Sequence, residues 1–262
     1  MQDLTITLVQ SSLAWEDPGA NLEAFGKKLQ SLPQTDLVIL PEMFNTGFTM
    51  DAAKNAETMN GPGISWMKDA ARRHGCVICG SLIIREDDKY YNRLVWMRPD
   101  GSYSKYDKKH LFRMGGEHLV FSPGHEKLIV EIRGWKVMPL VCYDLRFPVW
   151  SRNAFRGRNY AYDLLIYVAN WPSVRATAWK SLLRARAIEN MAYAAGLNRT
   201  GTDGKGVAHS GDSMLVAPDG SIPLKIASCA ESMQHFTLDK TFLTGTREKL
   251  GVGRDWDRFI IQ

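Results

Sequence analysis

The residues with the clearest chemical potential are Glu42, Lys108 and Cys142, because a carboxyl, an amine and a thiol together can cleave an acyl bond. Cys142 stands in V-M-P-L-V-C-Y-D-L-R-F-P, where an apolar run ends at the thiol. This run predicts a buried strand over 136–142, and Pro148 suits the first turn of a helix over about 148–156. A helix N-terminus beside the thiol would favour thiolate. Alternatively, Cys142 is a small buried hydrophobic residue, as free cysteines often are.

Glu42 and Lys108 also lie where predicted strands end or loops begin. Glu42 follows the apolar run D-L-V-I-L and a proline. A partly buried glutamate has a raised pKa and can serve as a general base, whereas an exposed one is an ordinary strand-end charge. Lys108 lies in D-K-K-H, which by itself predicts only a charged turn. The residues alone do not separate Lys108 from Lys109.

The chemistry explains why these three residue types belong together. A thiol at its reference pKa of ~8.5 is mostly protonated at neutral pH, so a carboxylate must take its proton as sulfur attacks a carbonyl carbon. The tetrahedral oxyanion then needs donors, which a lysine ammonium and a backbone N–H at a strand-to-helix turn can supply. The same carboxyl can return the proton to a leaving amine. The pattern therefore predicts hydrolysis through a covalent intermediate.

Strand and helix patterns that could position these residues are mixed along the chain, which predicts one α/β domain over 1–262 with an irregular tail from about 250. The run over 36–40 is apolar throughout, which is typical of a sheet covered on both faces. Helices are predicted over about 18–32, 65–74, 175–195 and 239–249, with a long loop over 108–126. A strand predicted near 192–198 overlaps the end of the helix predicted over 175–195.

Composition argues against several classes of protein. An apolar share of 45% and a charged share of 23% are ordinary for a soluble globular chain. The net charge of +5 comes from cations scattered among acids, so binding of nucleic acid is not expected. No apolar stretch approaches the ~20 residues that cross a bilayer, and the first residues do not form a signal peptide, so a cytoplasmic location is predicted.

The remaining cysteines and histidines predict neither a metal site nor a disulfide. Cys76 and Cys79 are three apart in a predicted strand, so their side chains point to opposite faces and cannot share a metal ion or a bond. Cys229 has no partner in the sequence. The histidines lack spacing such as H-E-x-x-H, and no G-x-x-x-x-G-K is present. We therefore predict no metal and no organic cofactor.

Several short motifs occur along nearly the whole chain, and their order is more specific than any single one. They are L-P-E ending at Glu42, Y-D-K-K-H-L-F with Lys108, V-C-Y-D-L-R-F-P around Cys142, A-N-W-P at 169–172, A-R-A-I-E-N at 185–190 and N-R-T-G-T-D-G at 198–204. In these motifs the chain resembles the nitrilase superfamily of carbon–nitrogen hydrolases. The resemblance implies a four-layer α-β-β-α sandwich and a homodimer that uses the helix over 175–195 and the C-terminal tail.

The resemblance also implies a role for each matching residue. Glu42 is expected to be the base, Cys142 the nucleophile, and Lys108 the oxyanion-stabilising lysine, chosen over its neighbour by the family spacing K-x-H. The backbone N–H of Tyr143 is expected to be the second oxyanion donor. Glu117, in G-G-E-H, matches a second glutamate that holds the lysine and orients the substrate.

Within the superfamily, M-F-N-T-G-F and C-Y-D-L-R-F-P are most similar to the omega-amidase branch, which hydrolyses the terminal amide of 2-oxoglutaramate or 2-oxosuccinamate. Such substrates carry a carboxylate, so a cation is expected in the pocket. Arg146 is the candidate, since arginine can bind a carboxylate bidentately. The alternative is a structural ion pair of Arg146 with Asp144 or Glu189.

Phe48 and Trp171 are candidates for the walls of the substrate pocket, although packing in the core would explain both equally well. An aliphatic amide, a nitrile or an N-carbamoyl compound would use the same three residues, so these substrates stay open. A lipoprotein N-acyltransferase would need membrane spans. A chain that keeps the fold as an inactive binding scaffold is the alternative from a different class.

Overall fold

Two six-stranded sheets form the centre of the protein, described here from a computed structural model that covers residues 2–157 and 159–260. The first sheet has the order β16-β1-β2-β3-β4-β5, and the second has the order β15-β14-β11-β10-β7-β6. The strands are β1 Leu4–Gln10, β2 Leu37–Ile39, β3 Val77–Glu86, β4 Lys89–Met97, β5 Tyr103–Asp107, β6 Val130–Ile132, β7 Trp135–Val141, β8 Phe155–Arg156, β9 Asn159–Tyr160, β10 Leu164–Ala169, β11 Tyr193–Asn198, β12 Thr200–Thr202, β13 Ala208–Ser210, β14 Met214–Val216, β15 Leu224–Lys225 and β16 Ser232–Leu238.

Helices cover the outer faces of both sheets. The helices over 18–29 and 62–74 pack on the first sheet, and the helix over 176–190 packs on the second through Trp179 and Leu183. The predicted four-layer α-β-β-α order is therefore confirmed. The helices are α1 Pro18–Leu29, α2 Ala52–Asn55, α3 Pro62–His74, α4 Pro148–Ser151, α5 Ala176–Asn190 and α6 Lys240–Leu250, with 3-10 turns at Arg113–Gly115, Glu117–Leu119, Cys142–Arg146, Ser173–Arg175 and Val252–Asp255.

Strand β2 is apolar throughout because both of its faces are buried. Alternate side chains of a strand point to opposite faces. Leu37 and Ile39 belong to the hydrophobic cluster between the sheets, whereas Val38 and Leu40 pack towards α1 and α3. All four residues are fully buried. The expectation of a sheet covered on both faces is confirmed.

The central strands of each sheet run parallel, so their carboxyl ends share an edge. In the first sheet β1, β2 and β3 are parallel, and in the second β7, β10 and β11 are parallel. Sites in α/β proteins form where polar residues follow such strand ends. Glu42 follows β2, Lys108 follows β5, Cys142 follows β7 and Asn170 follows β10. Two sheets thus contribute to one site.

Two predicted helices end about five residues earlier than expected. The helix predicted over 175–195 ends at Asn190 because Met191 adopts a left-handed φ of 48°, and the following apolar residues form strand β11. The helix predicted over 148–156 ends at Ser151, after which Phe155–Arg156 forms a strand. In the first place the apolar run after Asn190 fits either period and is decided by its place in the fold.

Cys76 and Cys79 lie in different hydrophobic clusters on opposite sides of the first sheet, as the strand geometry predicts. Both are buried free thiols. Among the residues that the structure describes, no helix combines the length and the apolar character that crossing a bilayer requires.

Candidate active site

Glu42 is fully buried, and its carboxylate is held by donors from both sheets. Oε1 accepts hydrogen bonds from Lys108 Nζ at 2.8 Å and from Asn92 Nδ2 at 2.8 Å. Oε2 accepts one from the backbone N–H of Asn170 at 2.8 Å. Because Asn170 follows β10 of the second sheet, this contact joins the polar edges of the two sheets at one carboxylate.

Lys108 is equally buried and lies between two carboxylates. Its Nζ is 2.8 Å from Glu42 Oε1 and 2.9 Å from Glu117 Oε2. Burial alone would lower the pKa of Lys108, but the charges of Glu117 and Glu42 raise it above its ordinary value, so the side chain stays an ammonium. The neighbouring Lys109 instead lies over the Trp150 ring, 5.4 Å from its centroid. The lysine predicted from the spacing K-x-H is the one placed beside Glu42.

The side chain of Glu117 is held by hydrogen bonds from the preceding loop and from strand β4. Its Oε2 accepts a hydrogen bond of 2.6 Å from the backbone N–H of Phe112, and its Oε1 accepts one of 3.0 Å from Asn92 Nδ2. Burial raises the pKa of Glu117, while the Lys108 ammonium opposes that shift. The carboxyl lies within hydrogen-bond distance of Lys108, where the predicted role requires it.

Cys142 follows β7 with a φ of 44°, so the chain turns sharply at the thiol. A positive φ is uncommon for a residue with a side chain and costs free energy that the surrounding structure must offset. The turn places the thiol where the charges of Glu42, Lys108 and Glu117 act on it. The structure therefore brings Glu42, Lys108, Glu117 and Cys142 into one cluster.

The expectation that the turn favours a thiolate at Cys142 is wrong. Burial, together with the nearby charge of Glu42, raises the pKa of the thiol well above its ordinary value, and the Lys108 ammonium only partly opposes this. The predicted helix after Pro148 has four residues, too short to supply a strong dipole. A resting thiol next to a carboxylate fits a mechanism in which the proton leaves during attack.

We expect Cys142 to stay protonated from about pH 6 to about pH 8, since a pKa raised above ~8.5 leaves the neutral form dominant at lower pH. The measurement is the ultraviolet absorbance of thiolate in the native protein minus that of Cys142→Ala. No difference should appear in this range, whereas the unfolded protein in urea should show the ordinary titration. A thiolate signal from Cys142 near neutral pH would contradict the expectation.

Asp144 supports the turn that carries Cys142, a role that the sequence did not indicate. Its fully buried carboxylate accepts hydrogen bonds from the backbone N–H of Val141 at 3.1 Å and from the Tyr106 hydroxyl at 2.8 Å. The other oxygen accepts the backbone N–H of His110 at 3.0 Å and contacts His110 Nδ1 at 2.8 Å. Asp144 thus ties the cysteine turn to the segment that follows Lys108.

Asp144→Asn should lower the free energy of unfolding by about 2–3 kcal/mol, because an amide nitrogen would face buried donors that now bond to a charged acceptor. Urea denaturation measures the change. Asp100→Asn is the matched variant, since Asp100 accepts only local hydrogen bonds from Ser102 in an exposed turn. Equal stability of the two variants would show that the Asp144 network does not hold this turn.

A cavity of about 600 Å³ opens onto Cys142, within the roughly 300–1,000 Å³ typical of small-molecule sites. Tyr143 and Arg146 line it from the cysteine turn, and Phe48 and Trp171 line it from two other loops. The predicted pocket residues therefore lie at one cavity. Glu42, Lys108 and Glu117 are buried and are not among the lining residues.

Arg146 does not make the structural ion pair that was its alternative explanation. Asp144 is occupied by Tyr106 and His110, and Glu189 pairs with Arg186 at 2.8 Å. The exposed Arg146 guanidinium lies over the Trp171 ring, 5.0 Å from its centroid, at the cavity. Arg146 therefore lines the cavity without an ion pair to Asp144 or Glu189.

Phe48 and Trp171 serve the core as well as the cavity wall. Trp171 is 3% exposed and packs against Trp179 with ring centroids 5.5 Å apart. Phe48 is half-buried, and its ring lies 5.3 Å from Lys108 Nζ. Both aromatic residues therefore line the cavity and are at least partly buried.

Sequence reasoning missed three further residues of the site. Asn92 donates to both Glu42 and Glu117, Asn170 donates to Glu42, and Arg175 lines the cavity. An asparagine at the start of the buried part of strand β4, residues 92–97, was an available signal, since buried polar side chains need partners. Asn170 was part of A-N-W-P, but Arg175 was only the first residue of the helix predicted over 175–195, and nothing in that helical pattern indicated a cavity.

The arrangement can support acyl transfer to sulfur. The charge of the buried Glu42 carboxylate acts on the thiol, and the Lys108 ammonium lies beside that carboxylate. The N–H of Tyr143 lies in the first turn of the 3-10 segment, where such groups have no partner within the helix. Within residues 2–157 and 159–260, no three His, Cys, Asp or Glu side chains are grouped so as to hold a metal ion.

Comparison with known proteins identifies the family. The family model described as carbon–nitrogen hydrolase matches residues 5–239, which contain the whole cluster. The chain belongs to the carbon–nitrogen hydrolase family. The hydrolase is 44% identical to Omega-amidase YafV of Yersinia enterocolitica across 100% of both chains. It is 34% identical to 2-oxoglutaramate amidase of Bacillus subtilis, over 83% of this chain and 84% of that protein.

A solved structure agrees with the same assignment. The hydrolase matches XC1258 of Xanthomonas campestris, a CN-hydrolase superfamily protein with an arsenic adduct in its active site, with a TM-score of 0.98 and 45% identity over 100% of both chains. The predicted resemblance to the nitrilase superfamily and its omega-amidase branch is confirmed, and so is an enzyme that acts on carbon–nitrogen bonds.

Proposed function

We propose that this hydrolase is an omega-amidase that converts 2-oxoglutaramate or 2-oxosuccinamate and water to the 2-oxo acid and ammonia. The observation that carries the proposal is the cluster of Glu42, Lys108 and Cys142 at a small cavity whose wall presents the Arg146 guanidinium. Full-length relatives named omega-amidase support the choice of substrate. An aliphatic amidase would not need the cation.

In the first half of the reaction, Glu42 accepts the thiol proton while Cys142 Sγ attacks the amide carbonyl. The oxyanion forms next to the Lys108 ammonium and the N–H of Tyr143, and donors of this kind are each worth ~3 kcal/mol in the transition state. Glu42 then gives the proton to the departing nitrogen. Ammonia leaves, and an acyl thioester remains on Cys142.

In the second half, Glu42 takes a proton from water, which attacks the thioester carbon. The same two donors stabilise the second oxyanion, and the Cys142 sulfur leaves and regains a proton from Glu42. Glu117 keeps the Lys108 ammonium in place through its hydrogen bonds of 2.9 and 3.0 Å. Because Glu42 alternates between acid and base, its contact with the thiol is needed in both halves.

A panel of small amides, nitriles and N-carbamoyl compounds, scored by ammonia production, tests the proposal. We expect the highest kcat/KM for 2-oxoglutaramate or 2-oxosuccinamate, and a lower value for pentanamide, which has no carboxylate. Preference for a nitrile or an N-carbamoyl compound would overturn the choice of substrate. Absence of turnover with every compound would favour an inactive binding scaffold.

We also propose a cytoplasmic homodimer without a membrane or nucleic-acid partner. Apolar side chains are exposed on α4, on α5 and in the tail, namely Val149, Ile188 and Phe259, which supports association with a second copy through these elements. Sedimentation equilibrium should give twice the chain mass, and Ile188→Glu should shift it towards the monomer. Cell fractionation tests the compartment.

A further inference from the structure

Two arginines, Arg146 and Arg175, lie at the same cavity and are both supported by aromatic rings. The Arg146 guanidinium carbon is 5.0 Å from the centroid of Trp171, and that of Arg175 is 5.3 Å from the centroid of Phe112. Stacking on a ring orients the planar guanidinium and leaves its edge N–H groups available. Neither guanidinium forms an ion pair with an acid among the described residues of the cavity.

The backbone around Arg175 is fixed. Its carbonyl accepts a hydrogen bond of 2.9 Å from Trp171 Nε1, and its N–H donates to the Pro172 carbonyl at 3.0 Å. Arg175 immediately precedes α5, whose first turn has no acidic residue and no side-chain cap. The positive end of this helix therefore adds to the potential of the guanidinium.

The charges at the cavity favour an anion. The cationic side chains of Arg146, Arg175 and Lys205 line it, against the carboxylate of Asp203. One oxygen of Asp203 is already engaged by the backbone N–H groups of Lys205 and Val207, each at 2.9 Å. Burial and the charge of Arg199 lower the pKa of His209, another lining residue, to about 4, so it adds no charge at neutral pH.

We propose that Arg175 acts with Arg146 as a clamp for the carboxylate end of the substrate, and that Arg175 sets the preference for anionic over neutral amides. The inference rests on the proposed function, which supplies a substrate with a carboxylate at the end opposite the amide. The amide end is held at Cys142, and the two guanidinium edges bind the oxygens of the other end. Arginine is suited to this task because its N–H groups match a carboxylate bidentately.

The experiment compares wild type with Arg175→Gln, Arg175→Lys and Arg184→Gln, which removes an exposed arginine of α5 outside the cavity. For Arg175→Gln we expect kcat/KM with 2-oxoglutaramate to fall about 10- to 100-fold, mainly through KM. Turnover of pentanamide should fall by a much smaller factor than turnover of 2-oxoglutaramate, because pentanamide has no carboxylate for Arg175 to bind. Arg175→Lys should be intermediate, because lysine keeps the charge without the planar fork. Arg184→Gln should behave as wild type.

A second readout does not depend on turnover. In the Cys229→Ser background, 2-oxoglutarate should protect Cys142 from alkylation by iodoacetamide. With Arg175→Gln, the same protection should need a higher concentration of 2-oxoglutarate, by the factor by which kcat/KM falls. If Arg175→Gln keeps the KM and the protection of wild type, the clamp is wrong although the omega-amidase function stands. If wild type does not hydrolyse 2-oxoglutaramate, the proposed function fails, and loss of protection in Arg175→Gln still assigns the carboxylate site.

Discussion

Cys142→Ala should release no measurable ammonia from 2-oxoglutaramate, a loss of about 10⁴-fold or more, because no other group can form the thioester. The fold should persist, with the free energy of unfolding changed by about 1 kcal/mol or less. Ammonia assays report the first expectation, and urea denaturation with near-ultraviolet circular dichroism reports the second.

Cys79→Ala is the matched variant, since Cys79 is a fully buried thiol of the core between the sheets. It should lose stability through the cavity it leaves, yet keep turnover. Ammonia release by Cys142→Ala at the wild-type rate would refute the assignment of the nucleophile. Equal loss of turnover in Cys79→Ala would mean that the assay reports folding and not the reacting sulfur.

Glu42→Gln should lower kcat by about 10²- to 10⁴-fold, the range typical of a lost general acid–base group. Glutamine keeps the size of the side chain but accepts no proton from the thiol at neutral pH. Lys108 keeps Glu117 as its ionic partner, so the protein should stay folded. Steady-state kinetics measure the loss, and circular dichroism checks the fold.

Glu57→Gln is the matched control, because it removes a mostly buried carboxylate that lies outside the site. Glu57 accepts the backbone N–H groups of Gly63 and Ile64, each at 2.9 Å, at the start of α3. Its loss should lower the free energy of unfolding by about 0.5–2 kcal/mol without changing kcat. If Glu42→Gln kept the kcat of wild type, Glu42 would not be the base that accepts the thiol proton.

Local patterns predicted most of the layers. The apolar run that became β2 needs burial on both faces, and this single requirement indicated a sheet between two layers. The pattern failed at the end of α5, where A-Y-A-A-G-L satisfies the period of a helix and of a buried strand. The fold resolves this ambiguity because Tyr193–Asn198 pairs with its neighbours on both sides.

Prediction of the site depended on the kind of signal each residue leaves. Motifs around Glu42 and Cys142 identified side chains at strand ends, and the family spacing selected Lys108. Asn92 was missed because a polar residue within a strand shows its importance only when its two carboxylate partners are known. Arg175 was missed because its cavity is assembled from segments distant in sequence, which no local pattern encodes.

The hydrogen bond from the Asn170 N–H to Glu42 connects the two halves of the sandwich, each built on one sheet, at the active site. The base and the ammonium belong to one half, and the sulfur belongs to the other. A small slip of one half against the other would separate the reacting atoms while every strand kept its hydrogen bonds. On gentle warming, the enzyme should therefore lose turnover at a lower temperature than the one at which it unfolds. Turnover should report the relative position of the two sheets more sensitively than any measure of secondary structure.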